Sequence, residues 1–252
     1  MATAQDVPLA AVEPTETVPP LEPARRLMLM AIGWWLLAEF SAVIAVLFAI
    51  VIGIAIGEWK LADVRNPALL PLLGTVGAWA AACALLIAVR TRSAIVGQGN
   101  RRAGVGDGPI TRWWLLAVLA LPTIAWAFIV GVFMNAVSPQ SVTNWRGHGP
   151  SLAAFAVVAI LLAPLAEELF YRGWLWTGLR QHWRVFPTAL FACGFWLVSH
   201  IDRGALVPIL LIPTAVILGI ARQFCGIRAA IILHAAHNLV SVLVIVSALA
   251  SP

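Results

Sequence analysis

Charged residues are scarce in this sequence. Asp, Glu, Lys and Arg make up only 11% of its 252 residues, whereas a soluble domain carries about a quarter. Hydrophobic residues make up 62%, and the mean hydropathy is +0.94. This composition excludes an ordinary soluble domain and predicts an integral membrane protein in contact with the lipid bilayer.

Cysteine is also rare, and the signals of a nucleic-acid-binding protein are missing. Cys83, Cys193 and Cys225 lie within or at the ends of apolar segments, and none has a CxxC spacing. We interpret them as small buried residues, which excludes a disulfide framework and a zinc knuckle. The net charge of +5 comes from basic residues spread over inter-helix loops without interleaved aromatic residues, so we expect no nucleic-acid partner.

Long apolar runs recur along nearly the whole chain. A transmembrane helix needs about 20 apolar residues to cross roughly 30 Å of hydrocarbon. The sequence therefore predicts an all-α, polytopic membrane helix bundle with about seven transmembrane helices, in a range of about six to eight. The predicted spans cover about residues 27–57, 68–90, 113–134, 151–178, 186–201, 205–223 and 229–249.

The chain divides into three predicted regions. Residues 1–26 begin with a stretch rich in proline and acidic residues that has no apolar run, which is typical of a disordered tail. Residues 27–134 hold the N-terminal transmembrane helices, and residues 150–249 form the predicted catalytic core. The tail has no basic start or apolar stretch, so it does not resemble a cleavable signal peptide.

Basic residues are divided unequally between the two sides of the predicted bundle. The loop 90–112 carries five arginines, whereas the loops 58–67 and 135–150 carry three basic residues between them. Over the whole chain, twelve basic residues fall on the first side and four on the other. Because basic loops stay in the cytoplasm, we expect a cytoplasmic N-terminus, and we expect the plasma membrane as the location.

Ionisable side chains inside the predicted spans are the candidates for function. A charge at the bilayer centre costs about 2.5 to 3.5 kcal/mol on insertion scales, so such groups are rare and mark functional sites. The candidates are Glu39, Glu167, Glu168, Arg172, His200, His234 and His237. Glu39 is expected to pair with a polar group or line a cavity, and His237 lies off the face of the other span-7 polar residues. His200 is expected to hold a water or a metal.

Helical spacing separates the roles of the polar residues in spans 4 and 7. Glu168 and Arg172 are spaced i, i+4 and form an ion pair on one face, whereas Glu167 points about 100° away and is free to act as a base. His234 and Asn238 are also spaced i, i+4, so both can donate to a developing oxyanion. Pro164, which lacks an N–H, disturbs the helix just before the glutamates.

Each of these groups also has a structural interpretation. A buried Glu–Arg pair often serves only to make its charges tolerable, and a single intramembrane histidine is often an interhelical contact. Two other functions therefore stay open. The polar residues can form the relay of a proton-coupled transporter, or the fold can serve as a non-catalytic immunity or scaffold protein.

Three short motifs stand in order in spans 4, 5 and 7. They are EExxxR at Glu167, Glu168 and Arg172, an aromatic residue four positions before a histidine at Trp196 and His200, and HxxxN at His234 and Asn238. Over about residues 150–240 the chain thereby resembles the CAAX prenyl protease and bacteriocin-processing (CPBP, or Abi) family of intramembrane proteases. The departure is Trp196, where the family usually has phenylalanine. Because the aromatic character is kept, we expect this difference to affect only the packing.

The resemblance implies hydrolysis of a peptide bond in a peptide or lipidated-protein substrate within the membrane, such as a C-terminal CAAX-like segment. Glu167 would activate a water with His200, and His234 and Asn238 would stabilise the oxyanion. Glu168 and Arg172 would support the site. The cofactor stays open between none and zinc, which Glu167, His200 and His234 would then ligate.

Overall fold

The computed structural model describes residues 23–60, 69–95, 110, 112–138, 145–147 and 149–250. The predicted tail therefore lies outside the described residues up to residue 22. Its last residues, from Ala24 onward, already form the first turn of the first helix. The division into an N-terminal helical region and a catalytic core stays a prediction.

Seven helices of the described part of the chain are long and apolar enough to cross a membrane, and no strand occurs in that part. They confirm the predicted all-α membrane bundle. They are α1 (Ala24–Ala55), α2 (Leu70–Ile95), α3 (Trp113–Val137), α4 (Gly149–Arg180), α5 (Val185–Val198), α6 (Leu206–Cys225) and α7 (Ile227–Ala250). A short 3₁₀ turn, Ile201–Arg203, follows α5.

The outer helices are apolar on every side, as helices in lipid are. In the most hydrophobic window of α1 only 11% of the residues are buried within the protein, so the remaining apolar surface faces the bilayer. Helix pairs approach closely where one of them carries a small residue. A methyl group added at Gly131 of α3 would come within 3.2 Å of Val244 of α7.

The core surrounds the second half of α4. Phe170, Tyr171, Leu175 and Leu179 of α4 are all at most 1% exposed, and Trp196 of α5 packs in the same cluster. Helix α4 is therefore the central element, against which α2, α5 and α7 all pack. The polar residues of the site project from this buried helix and from α5 and α7.

Consecutive helices run in opposite directions, so their connections alternate between two faces of the bundle. One face holds the α2–α3, α4–α5 and α6–α7 connections, where Arg112 lies over the Phe224 ring at 6.0 Å. The opposite face holds the α1–α2, α3–α4 and α5–α6 connections, where the rings of Trp145 and Phe155 are 5.1 Å apart.

Candidate active site

Helix α4 is not a regular α-helix where it carries the site. Two π-helical segments, Val158–Leu162 and Glu168–Leu175, flank the short α-helical stretch Ala163–Glu167. Such π turns widen the backbone ladder and often occur at functional sites. Glu167 is the last residue of this α-helical stretch, and Glu168 is the first residue of the second π-helical segment.

Pro164 accounts for one unusual hydrogen bond beside the site. The N–H of Ala163 donates to the carbonyl of Val158, five residues earlier, which is the π-helical pattern. In the same pattern, the N–H of residue 164 would donate to the carbonyl of Ala159. Proline has no N–H to give. The side-chain amide of Asn238 on α7 instead donates to the Ala159 carbonyl, at 2.7 Å. Asn238 therefore supplies the Ala159 carbonyl with the hydrogen-bond donor that Pro164 lacks.

Glu168 links α4 to α7 in a buried network. Arg172 Nη1 donates to Glu168 Oε1 at 2.6 Å, and both side chains are fully buried. Nδ1 of His234 lies 2.9 Å from the same carboxylate oxygen. An ionised carboxylate only accepts hydrogen bonds, so Nδ1 of His234 carries the proton that forms this contact. Its other ring nitrogen, Nε2, is left to face the site.

A second network holds Arg172 in place. Its guanidinium carbon lies 5.0 Å from the centre of the Trp196 ring, a distance at which a cation is attracted to an aromatic face. Arg222 of α6 donates from Nε to the backbone carbonyl of Arg172, at 2.6 Å, and from Nη2 to Thr177 Oγ1, at 3.1 Å. Helix α6 thus supports the π-helical part of α4 from behind the site.

Glu167 stands at the point where α4, α5 and α7 meet. Its Oε2 atom lies 4.0 Å from Nε2 of His200 and 4.0 Å from Nε2 of His234. The indole N–H of Trp196 donates to the same oxygen at 2.5 Å. The side chain of Glu167 keeps 15% of its surface exposed, whereas that of Glu168 keeps none. The two adjacent glutamates therefore have different surroundings.

The ring of His200 is oriented by its own helix. Its Nδ1 lies 2.8 Å from the backbone carbonyl of Trp196, so Nδ1 donates and Nε2 is an acceptor in the neutral ring. The His200 ring also packs on the indole, with 4.6 Å between centroids. Trp196 therefore fixes both members of the Glu167–His200 pair.

This arrangement suits a bound water. Glu167 Oε2 and His200 Nε2 are two acceptors 4.0 Å apart. Both can be reached by the two hydrogens of a single water at ordinary hydrogen-bond lengths of about 2.8 Å. A carboxylate and an imidazole placed in this way can orient a water and remove its proton.

A cavity of about 670 Å³ leads to this group. Its deep part is lined by Glu167, His200 and Tyr171, and its wall by α1 and α2, including Glu39. The volume lies in the range of small-molecule and peptide side-chain pockets, which is about 300 to 1,000 Å³. Glu167 and His200 are thus accessible from this cavity.

The other polar residues singled out from the sequence take structural positions. The side-chain amide of Asn238 donates one N–H to the Ala159 carbonyl. The role of Asn238 as an oxyanion donor therefore stays a prediction, and it would need the second N–H of the amide. His237 lies 3.3 Å from the hydroxyl of Thr214 on α6, in a buried contact between helices. Glu39 lines the cavity wall.

The predicted zinc ligands do not have the spacing of a zinc site. Ligands on a tetrahedral zinc lie roughly 3.3 Å from one another when each bond is about 2.0 Å. Both histidine nitrogens are 4.0 Å from Glu167 Oε2. Within the described ranges no group of three or more His, Cys, Asp or Glu residues has metal-binding geometry. The donor set as it stands does not fit zinc.

Sequence reasoning missed the polar role of Trp196 and the support given by Arg222. At Trp196 the signal was present, because tryptophan carries an N–H that the phenylalanine usual in the family lacks. We had expected the difference to affect only packing. For Arg222 no signal exists in the sequence, because its carbonyl acceptor lies fifty positions away on another helix.

Comparisons with known proteins agree with the three motifs. Residues 149–240 match the family described as Rce1-like, type II CAAX prenyl endopeptidase Rce1-like. No curated protein and no solved structure matches the chain significantly. The family match confirms the resemblance predicted from the sequence. It supports protease activity of the CAAX type, acting on membrane-associated protein substrates in the bilayer.

Proposed function

We propose that the chain, whose residues 149–240 match the Rce1-like family, is an intramembrane endopeptidase with Glu167 as its general base. One observation carries this proposal. The Glu167 carboxylate oxygen lies 4.0 Å from Nε2 of two histidines that come from two other helices. A carboxylate base that lines the cavity together with His200 and has the imidazole of His234 beside it is an arrangement suited to water activation.

The first step is the attack of water on the scissile carbonyl. Water held between Glu167 and His200 gives a proton to Glu167 as its oxygen bonds to the carbonyl carbon. The carbonyl π electrons move to oxygen and form a tetrahedral oxyanion. Glu167 then returns the proton to the leaving amine as the C–N bond breaks, so one residue serves as base and acid.

His234 is placed to stabilise the oxyanion. Its contact with Glu168 holds the ring with Nε2 toward Glu167, and Nε2 donates a hydrogen bond when the ring carries a second proton. The second N–H of Asn238, one turn further along α7, is the other proposed donor. Loss of a single donor of this kind costs about 10²- to 10³-fold in rate.

Glu168 and Arg172 are assigned a supporting role. They are fully buried and bonded to each other, so neither reaches substrate. Their task is to hold His234 and Trp196 in the orientations that the chemistry needs. The apolar walls of the cavity keep bulk water from competing for these hydrogen bonds.

The test is the cleavage of a quenched peptide library by detergent-purified protein, with and without Glu167→Gln. Wild type should cleave a peptide at a defined bond, and the Gln variant should lose this activity while keeping its thermal unfolding transition. Glu58→Gln, which removes an exposed carboxylate outside the site, is the matched control. Full cleavage by the folded Glu167→Gln variant would reject the proposal. So would proton or solute movement by wild type in liposomes without any cleavage.

A further inference from the structure

We infer that the active site receives its substrate from the extracytoplasmic side of the membrane, as an extended segment of an exported or membrane-anchored polypeptide. This inference rests on the proposed function. It adds the membrane face from which the peptide arrives, and it follows from two independent observations. One is the position of the cavity mouth, and the other is the distribution of basic residues.

The cavity extends to one face of the bundle. Four of its lining residues belong to the face that holds the α1–α2, α3–α4 and α5–α6 connections: Pro71, Trp145, Asp202 and Arg203. None of the described residues that line it comes from the α2–α3, α4–α5 or α6–α7 connections. We call the first face the cavity face and the opposite one the basic face.

The side chains at the mouth are suited to a polar peptide backbone entering from water. Asp202 and Arg203 are exposed charged residues of the 3₁₀ turn that follows α5. Trp145 stands across the mouth on the α3–α4 connection, as an amphipathic ring at a membrane interface does. From this rim the cavity leads inward to His200 and Glu167.

The basic residues lie mostly on the other face. Arg172 is set aside because it is buried in its ion pair with Glu168. Among the described residues, the basic face carries nine basic residues, and the sequence of the α2–α3 connection adds Arg101 and Arg102; the nine are Arg25, Arg26, Arg90, Arg92, Arg112, Arg180, Arg184, Arg222 and Arg228. Within the described ranges the cavity face carries three, namely Lys60, Arg146 and Arg203, and the sequence of the α1–α2 connection adds Arg65.

This asymmetry orients the protein in its membrane. Loops with an excess of lysine and arginine are retained in the cytoplasm, and the loops concerned are short enough for the rule to apply. The basic face is therefore cytoplasmic, and the cavity face is extracytoplasmic. A peptide tail presented from the cytoplasm meets the basic face, whose described connections contribute no residue to the cavity lining.

The substrate that we assign to the cavity is a juxtamembrane or exported segment without regular structure. A helix keeps its peptide carbonyls in backbone hydrogen bonds, whereas an extended segment leaves its carbonyls open to attack, and the cavity is too small for a folded domain. Recognition at the rim would come from Asp202, Arg203 and Trp145. A C-terminal CAAX-like segment meets these requirements only where it is displayed outside the cytoplasm.

Orientation is tested first, by labelling that does not depend on activity. Glu58→Cys lies on the cavity face and Gln181→Cys on the basic face, and both residues are exposed and outside the site. A membrane-impermeant maleimide should label Glu58→Cys in intact cells and Gln181→Cys only after permeabilisation. Labelling of the wild-type protein measures the background from the three native cysteines. The reverse pattern would overturn the inference.

Cleavage is tested second, with a membrane-impermeant peptide taken from the library hits. Intact cells that express wild type should cleave it as fast as permeabilised cells, and cells with Glu167→Gln should not cleave it. Cleavage only after permeabilisation would overturn the inference while leaving the proposed function intact. If the predicted labelling is found but purified wild type cleaves nothing, the proposed function fails, and with it the substrate assignment.

Discussion

Trp196 donates its indole N–H to Oε2 of Glu167 at 2.5 Å, the oxygen that also faces both histidines. The same residue accepts the Nδ1–H of His200 with its backbone carbonyl and lies under the Arg172 guanidinium. The proposed base, its partner and the supporting ion pair thus share one tryptophan. A residue that the sequence presented as a packing substitution is the most connected side chain of the site.

Trp196→Phe should therefore retain the fold and lose catalytic rate. A hydrogen bond to a charged group contributes about 1.5 to 3 kcal/mol, so we expect kcat/KM to fall by roughly 10- to 100-fold. Trp174→Phe is the matched control, because Trp174 is a buried tryptophan of α4 in contact with Phe170. Equal loss in the two variants would show that Trp196 acts through packing alone.

Arg172→Met should damage folding more than chemistry. Removal of one partner from a buried ion pair leaves the other charge uncompensated, which costs about 3 to 5 kcal/mol. We expect a clear drop in the thermal unfolding temperature in detergent. Arg180→Met, at the exposed end of the same helix, should change it little. A stable Arg172→Met variant would contradict the supporting role assigned to the pair.

The contact between Asn238 and Ala159 predicts coupling between two distant positions. Asn238→Ala leaves the Ala159 carbonyl without its donor, at a cost of about 1 to 3 kcal/mol in stability. Pro164→Ala restores a backbone N–H in the position to reach that carbonyl. The cost of Asn238→Ala should therefore be smaller in the Pro164→Ala background, as measured by a double-mutant cycle. Additive effects would exclude this explanation of the contact.

Chelation should leave peptide cleavage unchanged. The spacing of Glu167, His200 and His234 does not fit tetrahedral zinc, and the proposed steps use none. The measurement is the cleavage rate of purified protein before and after treatment with a chelator. Activity that is lost on chelation and restored by added zinc would overturn the metal-free mechanism and require the three side chains to move closer together.

The helical bundle could be predicted from the sequence because lipid imposes a simple rule. Every crossing needs about 20 apolar residues in a helix, and all seven predicted spans overlap the seven helices found. Glu168 and Arg172 were paired correctly because i, i+4 spacing decides contacts within one helix.

Contacts between helices do not follow from the spacing of residues in the sequence, and only the family resemblance implied that Glu167, His200 and His234 come together. His200 stands 15 residues from the start of α5 and His234 only 7 from the start of α7. At 1.5 Å per residue, straight and parallel helices would place the two histidines at depths about 12 Å apart. Both nevertheless lie 4.0 Å from Glu167. Tertiary packing sets how far each helix is shifted or tilted in the bundle. Spacing within a single helix does not report this shift. For the same reason, the hydrogen bond from Asn238 to the Ala159 carbonyl could not be predicted from the sequence.

The central claim is that Glu167 and His200 act together on one water. It is tested most directly by kcat/KM for Glu167→Gln, His200→Ala and the double variant, each checked for a native unfolding transition. Residues that act as a unit give strongly non-additive losses. We predict that the double variant is about as slow as the slower single variant. Losses that multiply, or a single variant with the wild-type rate, would contradict the account.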